Sequence, residues 1–364
     1  MRGRGPVAWL FLSLGGLAVL ILVLLAASVA WLSLDRAAEE GRQIRRVAAL
    51  RGLHEPSPIL AADLAFPDRI PFNRFRLLAT HNSYRGRGSA LGLFIIGLIK
   101  PAEPPKLHYA HPPLTEQLDA GIRSFELDLR ARKGGFVLAH VPLVDARGPE
   151  PDFALALEEL TLWSNRNPGH LPLVLLFELK DDYAFLDPAL RPWDAGAFDR
   201  LDETLRRGLG AKLFSPEAIG TGPWPNVGDL RNRIIVILHE NEDYRLIYEM
   251  GHPGLAGRVM FDCRPGGVLP SRFAVLNDPV KDLADIKRSL EAGIIVRTRA
   301  DADLDIGSGT LEAALGSGAN IVSTDFPPGH AGPSGYVAVL PGSRTWDSQG
   351  SVSKLGDSTI GSSP

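Results

Sequence analysis

Two short segments of the sequence place chemically useful side chains at the ends of apolar runs. Residues 80–83, Thr-His-Asn-Ser, set the imidazole of His81 beside the amide of Asn82. Further along, Glu126 and Asp128 stand at alternate positions, and alternate side chains of a strand point to the same face. Carboxylate and amide oxygens are ligands that Ca²⁺ prefers, and an imidazole can move protons at neutral pH. The two segments together predict a metal-assisted site.

Two more polar residues follow apolar runs in the same way. His140 comes after residues 136–139, and Glu178 comes after residues 173–177. Two imidazoles, one amide and three carboxylates are the parts of a metal-assisted phosphodiester site. In such a site the metal polarises the phosphate and the imidazoles transfer protons.

Each carboxylate also has a simpler explanation as half of an ion pair. Two carboxylates on one face of a buried strand are costly unless a cation or a partner compensates them. Glu178 could pair with the nearby Lys180, and the Glu-x-Asp segment could pair with arginines close by in the sequence, namely Arg123, Arg130 or Arg132. One shared cation would account for all three acids at once, and we favour that interpretation.

A second group of polar residues could hold a negatively charged substrate. Arg297 and Arg299 lie one strand alternation apart, so they could clamp a phosphate. The alternative is that they form ion pairs with nearby acids, namely Asp301, Asp303 or Asp305. Lys180 is a similar candidate. Asp325 ends the last predicted strand, and we expect it to bind substrate hydroxyls or to orient Arg297.

Short apolar runs that alternate with helical patterns indicate the framework around these residues. Strands are predicted over residues 76–79, 122–129, 136–139, 173–177, 234–238, 258–261, 294–296 and 321–322. Helices are predicted over residues 152–165, 196–209, 241–250, 280–292 and 308–317, with Asp152, Asp278 and Ser308 as N-caps. About eight strands, most of them followed by a helix or a long loop, indicate an α/β protein with a (β/α)₈ TIM-type barrel or a distorted relative of it.

The positions of the polar residues support a barrel. A barrel of this kind builds its active site at the C-terminal ends of its strands. The residues at or just beyond those ends are His81, Glu126, Asp128, His140, Glu178, His239, Glu240, Arg297, Arg299 and Asp325. Two other histidines, His170 and His252, are expected to be solvated turn residues, whereas His111 could flank the site or merely pack beside it.

The N-terminus predicts a membrane anchor. Residues 6–34 carry no charge and are almost wholly apolar, and a bilayer span needs about 20 such residues. Residues 28–30, Ser-Val-Ala, would also suit a signal peptidase, but the apolar run exceeds the roughly 7 to 15 residues of a removed peptide. We therefore expect a retained single-pass anchor over residues 1–34, and hence a membrane location.

The charges on the two sides of this anchor favour opposite orientations. The positive-inside rule places the main domain in the cytoplasm, because arginines after the anchor outnumber Arg2 and Arg4 before it: Arg36, Arg42, Arg45, Arg46 and Arg51. A very short basic N-terminus, however, usually stays inside, and we expect an extracytoplasmic main domain.

Composition and patterning divide the rest of the chain into three parts. Residues 35–65 are expected to form a helical stalk or linker, residues 66–341 the barrel, and residues 342–364, rich in serine and glycine, a disordered tail. Residues 90–99 are apolar throughout but too short to span a bilayer. They are expected to form either a rim helix that dips into the lipid headgroups or a helix packed on the barrel.

Charge and cysteine content exclude several classes of function. The formal net charge of -3 gives no reason to expect nucleic acid as a partner. Cys263 is the single cysteine, so neither an intramolecular disulfide nor a zinc site of several thiolates is available. Nothing in the sequence indicates a protein partner.

From His81 to about residue 326 the chain resembles the calcium-dependent phosphatidylinositol-specific phospholipases C of the bacterial type, which share their catalytic half with the eukaryotic X region. The resemblance lies in residues 80–84, 111–118, 121–128, 139–140, 177–180, 296–303 and 322–325. It implies Ca²⁺ as the cofactor, phosphatidylinositol or a related phospholipid as the substrate, and a membrane as the place of action. The lipid-binding and calcium-binding modules of the eukaryotic enzymes are not found here, and the anchor could supply membrane proximity instead.

The resemblance also implies a role for each matching residue. The calcium ligands would be Asn82, Glu126, Asp128 and Glu178. His81 and His140 would be the catalytic imidazoles, the first bound to phosphoryl oxygens and the second acting as acid and then as base. Glu126 or Glu178 would take the proton of the inositol 2-hydroxyl. Products would be diacylglycerol and inositol phosphate, formed through a cyclic intermediate.

Three other functions remain open at this point. A glycerophosphodiester phosphodiesterase is also a barrel with two histidines and a Glu-x-Asp, but its first histidine is typically followed by arginine, whereas Asn82 stands here. A phospholipase-D-like barrel that cyclises choline-headgroup lipids is a related alternative. The third is a membrane-anchored protein that binds inositol lipids or glycans without turnover.

Overall fold

Short runs of buried residues form a curved, mostly parallel sheet. The structure, a computed structural model, describes residues 6–307, 309–342 and 344–348. Its strands are β1 (Phe75–Thr80), β2 (Ser124–Arg132), β3 (Gly135–Leu138), β4 (Leu173–Leu179), β5 (Leu213–Phe214), β6 (Ile234–Leu238), β7 (Phe273–Val275), β8 (Ile295–Arg299), β9 (Ile321–Thr324) and β10 (Trp346–Ser348). Strand β6, Ile-Ile-Val-Ile-Leu, is buried throughout, as expected for branched residues in a parallel sheet covered on both faces.

The strands follow the order of a barrel. Neighbours run β5-β6-β4-β2-β1-β9-β8-β7, and β3 and β10 add to β2 and β1. The pairs along this path are parallel, whereas β3 and β10 are antiparallel. The circuit closes between β6 and β7, because Phe261 bridges Ile237 of β6 and Cys263 bridges Phe273 of β7. The prediction of a TIM-type barrel is confirmed, although the position between β6 and β7 holds only isolated bridges instead of a continuous strand.

Helices surround this sheet, and several begin at a side-chain cap. In the described chain they are α1 (Pro6–Leu50), α2 (Leu60–Ala65), α3 (Ala90–Ile99), α4 (Leu114–Asp119), α5 (Phe153–Arg166), α6 (Ala195–Leu209), α7 (Pro216–Ile219), α8 (Glu242–Glu249), α9 (Leu283–Glu291) and α10 (Thr310–Ser317). Asp152 caps α5 as predicted, by accepting a hydrogen bond from the backbone N–H of Leu155. Asp194 and Asn241 cap α6 and α8 in the same way.

Some predicted elements are wrong. Residues 258–261 form no continuous strand, because the N–H groups of Val259 and Met260 donate to the Tyr248 hydroxyl rather than to a neighbouring strand. Asp278 caps no helix: α9 begins at Leu283, five residues beyond the predicted cap, and the Asp278 carboxylate accepts from the N–H groups of the turn that precedes α9. Ser308 lies outside the described residues. Strands β5 and β7 were not predicted, since runs of two or three residues show no clear alternation.

The segments before and after the barrel also differ from expectation. The predicted stalk over residues 35–65 is helical to Leu50, but it packs against α5 instead of standing clear of the barrel. Strand β10 lies inside the predicted disordered tail and pairs with β1, where Asp347 binds Arg76. Residues 349–364 of that tail lie outside the described residues. The helical segment Gly16–Leu50 is long and apolar enough to cross a membrane.

Candidate active site

Alternation along the barrel strands directs polar side chains into the barrel mouth. Val174 and Leu176 of β4 belong to the apolar filling of the barrel, so the next inward position is Glu178. In β8, Ile295 is the apolar residue and Arg297 follows at the next inward position. The same step brings in His81 after β1, Glu126 and Asp128 within β2, His239 after β6 and Asp325 after β9. Glu126 and Asp128 lie inside β2 rather than at its end, because β2 continues to Arg132 to pair with β3.

Acidic side chains converge at this mouth. Ligand atoms of Glu126, Glu178 and His239 all lie within 4.8 Å of one another. Asp128 joins them from the same face of β2, and its Cα is the register partner of Glu178 in β4. The three predicted acids are therefore brought together. His239, which the sequence places at the mouth without a role, joins them.

Two of the predicted metal ligands have buried acceptor oxygens without donors. Oδ1 of Asn82 and both carboxylate oxygens of Asp128 have no hydrogen-bond partner within the described part of the chain. Asn82 adopts a φ of 47°, and its Nδ2 donates to the Tyr109 hydroxyl at 2.8 Å, which leaves Oδ1 as the acceptor. Lys180 approaches Asp128 only to 3.5 Å. Buried acceptors of this kind cost free energy unless a cation or water completes them, and oxygen ligands suit Ca²⁺.

The charges at the mouth fit the same cation. Burial, followed by the charge of Glu178, raises the pKa of Asp128 to about 7. Burial alone would also raise the pKa of Glu126 and Glu178, but the charges of Arg297 and Lys180 outweigh it and lower both pKa values. Arg297 forms an ion pair with Glu126, and Nζ of Lys180 lies 2.7 Å from Glu178. Two acids are thus ionised by cationic neighbours, and a divalent cation would ionise the third.

The arginines that could have neutralised the Glu-x-Asp segment are bound elsewhere. That alternative therefore fails, although the Lys180 pair proposed for Glu178 does form. Arg297 and Arg299 likewise do not use the acids that follow them in sequence, since their carboxylate partners are Glu126 and Asp325. The three arginines near the Glu-x-Asp segment pair with other acids: Arg123 with Asp63, Arg130 with Asp182 and Arg132 with Asp187.

His81 is held by a carboxylate on one side and faces a guanidinium on the other. Its Nδ1 lies 2.7 Å from Oδ1 of Asp325, whose other oxygen accepts from Nη2 of Arg299 at 2.8 Å. Nη1 of Arg299 lies 3.5 Å from Nε2 of His81. Burial, followed by the charge of Arg299, holds the pKa of His81 well below its usual value. The expectation that Asp325 orients Arg297 is wrong, because Asp325 holds Arg299 and Arg297 binds Glu126.

His140 is oriented by a second carboxylate. Its Nδ1 lies 3.0 Å from Oδ2 of Asp145, and Arg85 donates to both oxygens of Asp145 at 3.0 and 3.2 Å. Burial would raise the pKa of Asp145, but the hydrogen bond with His140 and the charge of Arg85 outweigh it, so this pKa lies below its usual value. The ionised carboxylate fixes the ring through Nδ1, which leaves Nε2 for chemistry.

The sequence prediction missed the residues that orient the two histidines. Asp145 follows His140 by five positions in a loop, where no periodicity marks it. Arg85 and Tyr109 are equally unmarked, although Arg85 directly follows the matching segment at residues 80–84. His111 flanks the site: its Nε2 lies 2.9 Å from the His81 carbonyl oxygen, and burial lowers its pKa to about 4.

An apolar groove of about 450 Å³ opens beside His140. The predicted apolar helix, α3, forms one of its walls. His140 and Lys180 bring site chemistry to its lining. Its apolar lining consists of Ile95, Ile96 and Ile99 from α3, Leu107, Val141, Val144, Phe185 and Leu186.

A parallel barrel with two carboxylate-fixed imidazoles and hard oxygen ligands at its mouth defines a metal-assisted phosphodiesterase of the TIM-barrel class. The chain belongs to the family described as phosphoinositide phospholipase C, Ca²⁺-dependent, whose model matches residues 70–136 and 130–348. It is therefore a phosphoric diester hydrolase that acts on phosphatidylinositol and depends on Ca²⁺. This membership favours phospholipase C over the alternative barrel enzymes.

Two solved structures from a Pseudomonas species show the same fold at low sequence identity. A calcium-dependent phosphoinositol-specific phospholipase C from a Gram-negative Pseudomonas species, in a myoinositol complex, has 17% identity and a TM-score of 0.54, over 81% of this chain and 100% of that one. A second crystal form from Pseudomonas has 16% identity and a TM-score of 0.53, over 79% and 98%. A Ca²⁺-dependent enzyme from Streptomyces antibioticus has 16% identity and a TM-score of 0.48, over 70% and 95%. No curated protein matches the chain.

Proposed function

We propose that this chain cleaves phosphatidylinositol to diacylglycerol and inositol phosphate through a cyclic phosphate, with its chemistry divided among the residues of the barrel mouth. The observation that carries the proposal is the set of buried acceptors without donors at Asn82 and Asp128, next to two ionised acids. The proposed calcium ligands are Asn82, Glu126, Asp128 and Glu178, with His239 close enough to Glu126 and Glu178 to assist.

A carboxylate at the mouth starts the reaction. The ligands named above would hold a Ca²⁺ ion, which would supply Lewis-acid chemistry at the phosphodiester and would acidify the inositol 2-hydroxyl. Glu126 and Glu178 are both ionised, so either can accept the proton of that hydroxyl. The 2-oxygen then bonds to phosphorus, and the bond from phosphorus to the diacylglycerol oxygen breaks.

His81 and Arg299 hold the phosphate. Burial keeps His81 neutral without substrate, but an anionic phosphate near Nε2 opposes that effect and favours the imidazolium. The charged ring then donates to Asp325 through Nδ1 and to a phosphoryl oxygen through Nε2. Arg299 stands beside the same nitrogen and donates to the same phosphate as charge develops in the transition state. Lys180 and Arg297 are the other proposed substrate-side cations.

His140 serves the leaving group. Its Nδ1 is bound to Asp145, and the ring lines the apolar groove, where the diacylglycerol oxygen would depart. Nε2 gives a proton to that oxygen and afterwards takes one from the water that opens the cyclic phosphate. Asp145 is a positioning residue, because it acts only through the His140 ring.

The chain is proposed to work at a membrane to which it is anchored. The apolar part of α1 meets the length and composition of a bilayer span, and the side chains described there, from Leu17 to Trp31, are mostly exposed. We place the barrel on the extracytoplasmic side, with Arg2 and Arg4, which precede the span, on the cytoplasmic side. Protease protection of intact cells against permeabilised cells tests that side, and digestion only after permeabilisation would contradict it.

Phosphorus NMR tests the proposed reaction. The full chain is incubated with phosphatidylinositol vesicles in Ca²⁺ or in EGTA, and the expected result is cyclic inositol phosphate in Ca²⁺ alone. Intact phosphatidylinositol with cleavage of glycerophosphodiesters would move the substrate to the glycerophosphodiester class. Binding of the lipid without release of any product would indicate the non-catalytic alternative.

A further inference from the structure

One face of α1 beyond the apolar span is built into the barrel domain. The buried and half-buried positions recur at helical spacing, from Leu32 through Arg36 and Gln43 to Val47. Nε2 of Gln43 donates to Glu150 at 2.9 Å, and its Oε1 accepts from the backbone N–H of Asp152 at 2.9 Å. Gln43 therefore joins this half of α1 to the barrel domain through one side chain and one backbone group.

Buried carboxyl groups fix the same contact. The side chains of Glu150 and Glu159 are fully buried, and Arg46 of α1 lies 2.6 Å from Glu150 and 3.0 Å from Glu159. Nearer the span, Asp35 lies 3.0 Å from Arg147. Because buried carboxylates are costly without their cation, α1 cannot leave the barrel without a large free-energy penalty.

The apolar span begins beside the active site. Leu32 is 4% exposed and packs in one cluster with Ile96 of α3, Leu107 and Val144, three residues that line the groove next to His140. The α1 helix runs through this point without a break. Since α1 is continuous and docked, the direction of the span relative to the groove is fixed.

The rim around the groove exposes large apolar side chains. Phe94, Leu98 and Ile99 of α3 are 63%, 69% and 71% exposed, and Phe185 on the opposite wall is 80% exposed. Exposed apolar side chains gathered at one site mark an interaction surface. This rim is defined by Phe94, Leu98, Ile99 and Phe185. Helix α3, which carries three of these residues, contacts the anchor through Ile96, a member of the cluster with Leu32.

We infer that α1 is a rigid strut that holds the rim in the acyl-chain layer of the same bilayer that α1 spans. A lipid of that leaflet then enters the groove sideways, with its headgroup at the barrel mouth and its chains between α3 and Phe185. The occupant of the exposed rim is therefore the bilayer, and the enzyme works on its own membrane. This inference rests on the proposed function for its substrate and on α1 for its geometry.

A quenching measurement tests the geometry without any turnover. Because the single cysteine, Cys263, is buried, Phe185→Cys can carry one environment-sensitive fluorophore in the full chain, in vesicles with or without doxyl lipids. Arg207→Cys is the matched control, 74% exposed in the last turn of α6, at the end of the barrel opposite the mouth. Doxyl quenching at position 185 alone is expected. Equal access of iodide to both positions, or protection of position 185 from both quenchers by a second copy, would overturn the strut.

A pair of insertions tests the consequence for catalysis. A short Gly-Ser insert between Leu34 and Asp35 uncouples the apolar span from the docked half of α1. The same insert after Leu53, beyond the end of α1, leaves the whole helix intact. The first insert is expected to lower turnover of vesicle phosphatidylinositol at least about tenfold, with short-chain soluble phosphatidylinositol cleaved as before, because only presentation of the substrate is lost. The second insert should change neither rate.

The outcomes separate the two proposals. Equal vesicle turnover by the two insertion chains would overturn the strut. The unmodified protein can also be given phosphatidylinositol both in the vesicles that carry it and in separate, added vesicles. Equal cleavage in the two kinds of vesicle would overturn the inference as well. If short-chain phosphatidylinositol is not cleaved by any chain, the proposed function fails, whereas the quenching result still decides the geometry.

Discussion

Oδ1 of Asp325 lies 2.7 Å from Nδ1 of His81, so the carboxylate after the last barrel strand fixes the imidazole after the first. The same carboxylate holds Arg299 at 2.8 Å. Strands β1 and β9 are neighbours in the barrel, and this contact depends on their closure. One acid thus positions both groups that are proposed to bind the phosphate.

Replacement of Asp325 tests this relationship. Asp325→Asn keeps the shape but removes the charge that favours the His81 imidazolium, so kcat is expected to fall at least about tenfold. Because His81 must be protonated to bind the phosphate, the basic limb of the pH-rate profile is expected to move to lower pH. Asp278→Asn, on an exposed turn, is the control. A variant with lower kcat but an unmoved pH profile would assign Asp325 a purely structural role.

The two histidines should be separable by the leaving group. His81→Ala and His140→Ala are each expected to lower turnover of phosphatidylinositol by at least about 10² while circular dichroism stays unchanged. An inositol phosphate ester with a nitrophenol leaving group needs no protonation, so it should restore cyclisation in His140→Ala but not in His81→Ala. Restoration in both variants, or in neither, would contradict the proposed division of roles.

The buried acids beneath α1 predict a difference between two arginines of that helix. Arg46→Met leaves the buried Glu150 and Glu159 without their cation and is expected to cost about 3 kcal/mol of unfolding free energy. Arg51→Met breaks an exposed, solvent-screened pair with Glu158 and should cost far less unfolding free energy than Arg46→Met. Thermal unfolding in detergent measures both, and equal costs would mean that α1 does not dock as described.

A buried histidine away from the site predicts acid sensitivity. His170, expected to be a solvated turn residue, is instead fully buried: Ser164 donates to its Nε2, its Nδ1 donates to the Leu171 carbonyl, and burial lowers its pKa to about 3. Below about pH 6.5 the unfolded chain binds a proton at His170, whereas the folded chain does not. The contribution of neutral His170 to the unfolding free energy is therefore fully present above about pH 6.5. It is lost as the pH falls towards about 3, at up to about 1.4 kcal/mol per pH unit.

The His170→Asn variant isolates that proton. Its unfolding free energy should fall less steeply with acid than that of the unmodified chain, whereas His252→Asn, on an exposed turn, should follow the unmodified chain. Parallel pH dependence in all three chains would exclude His170 as the titrating group.

The barrel and the residues that meet at its mouth could be predicted because both follow local periodicity. Apolar runs such as residues 173–177 predict their strand directly, and the step of two that ends each run predicts the inward polar residue, as at Glu178. The strand that failed, residues 258–261, failed because its backbone bonds Tyr248, a partner ten or more residues away whose position depends on the fold.

The partners of the site residues could not be predicted in the same way. Asp145 reaches His140 from a loop, and Arg299 finds Asp325 rather than the acids beside it, since both contacts depend on loop geometry and on closure of the barrel. The docking of α1 was missed because its face toward the barrel is mostly polar, with Gln43 and Arg46 as main contacts. Sequence polarity there resembles that of a solvated stalk.

Calorimetry of Ca²⁺ binding to the full chain in detergent micelles tests the central claim most directly, because it requires no substrate. We predict one ion per chain, with affinity lowered at least about tenfold, or about 1.4 kcal/mol, in both Asn82→Ala and Asp128→Asn. Asp278→Asn should bind as the unmodified chain does. Unchanged Ca²⁺ affinity in both site variants would contradict the assignment of these oxygens to the metal.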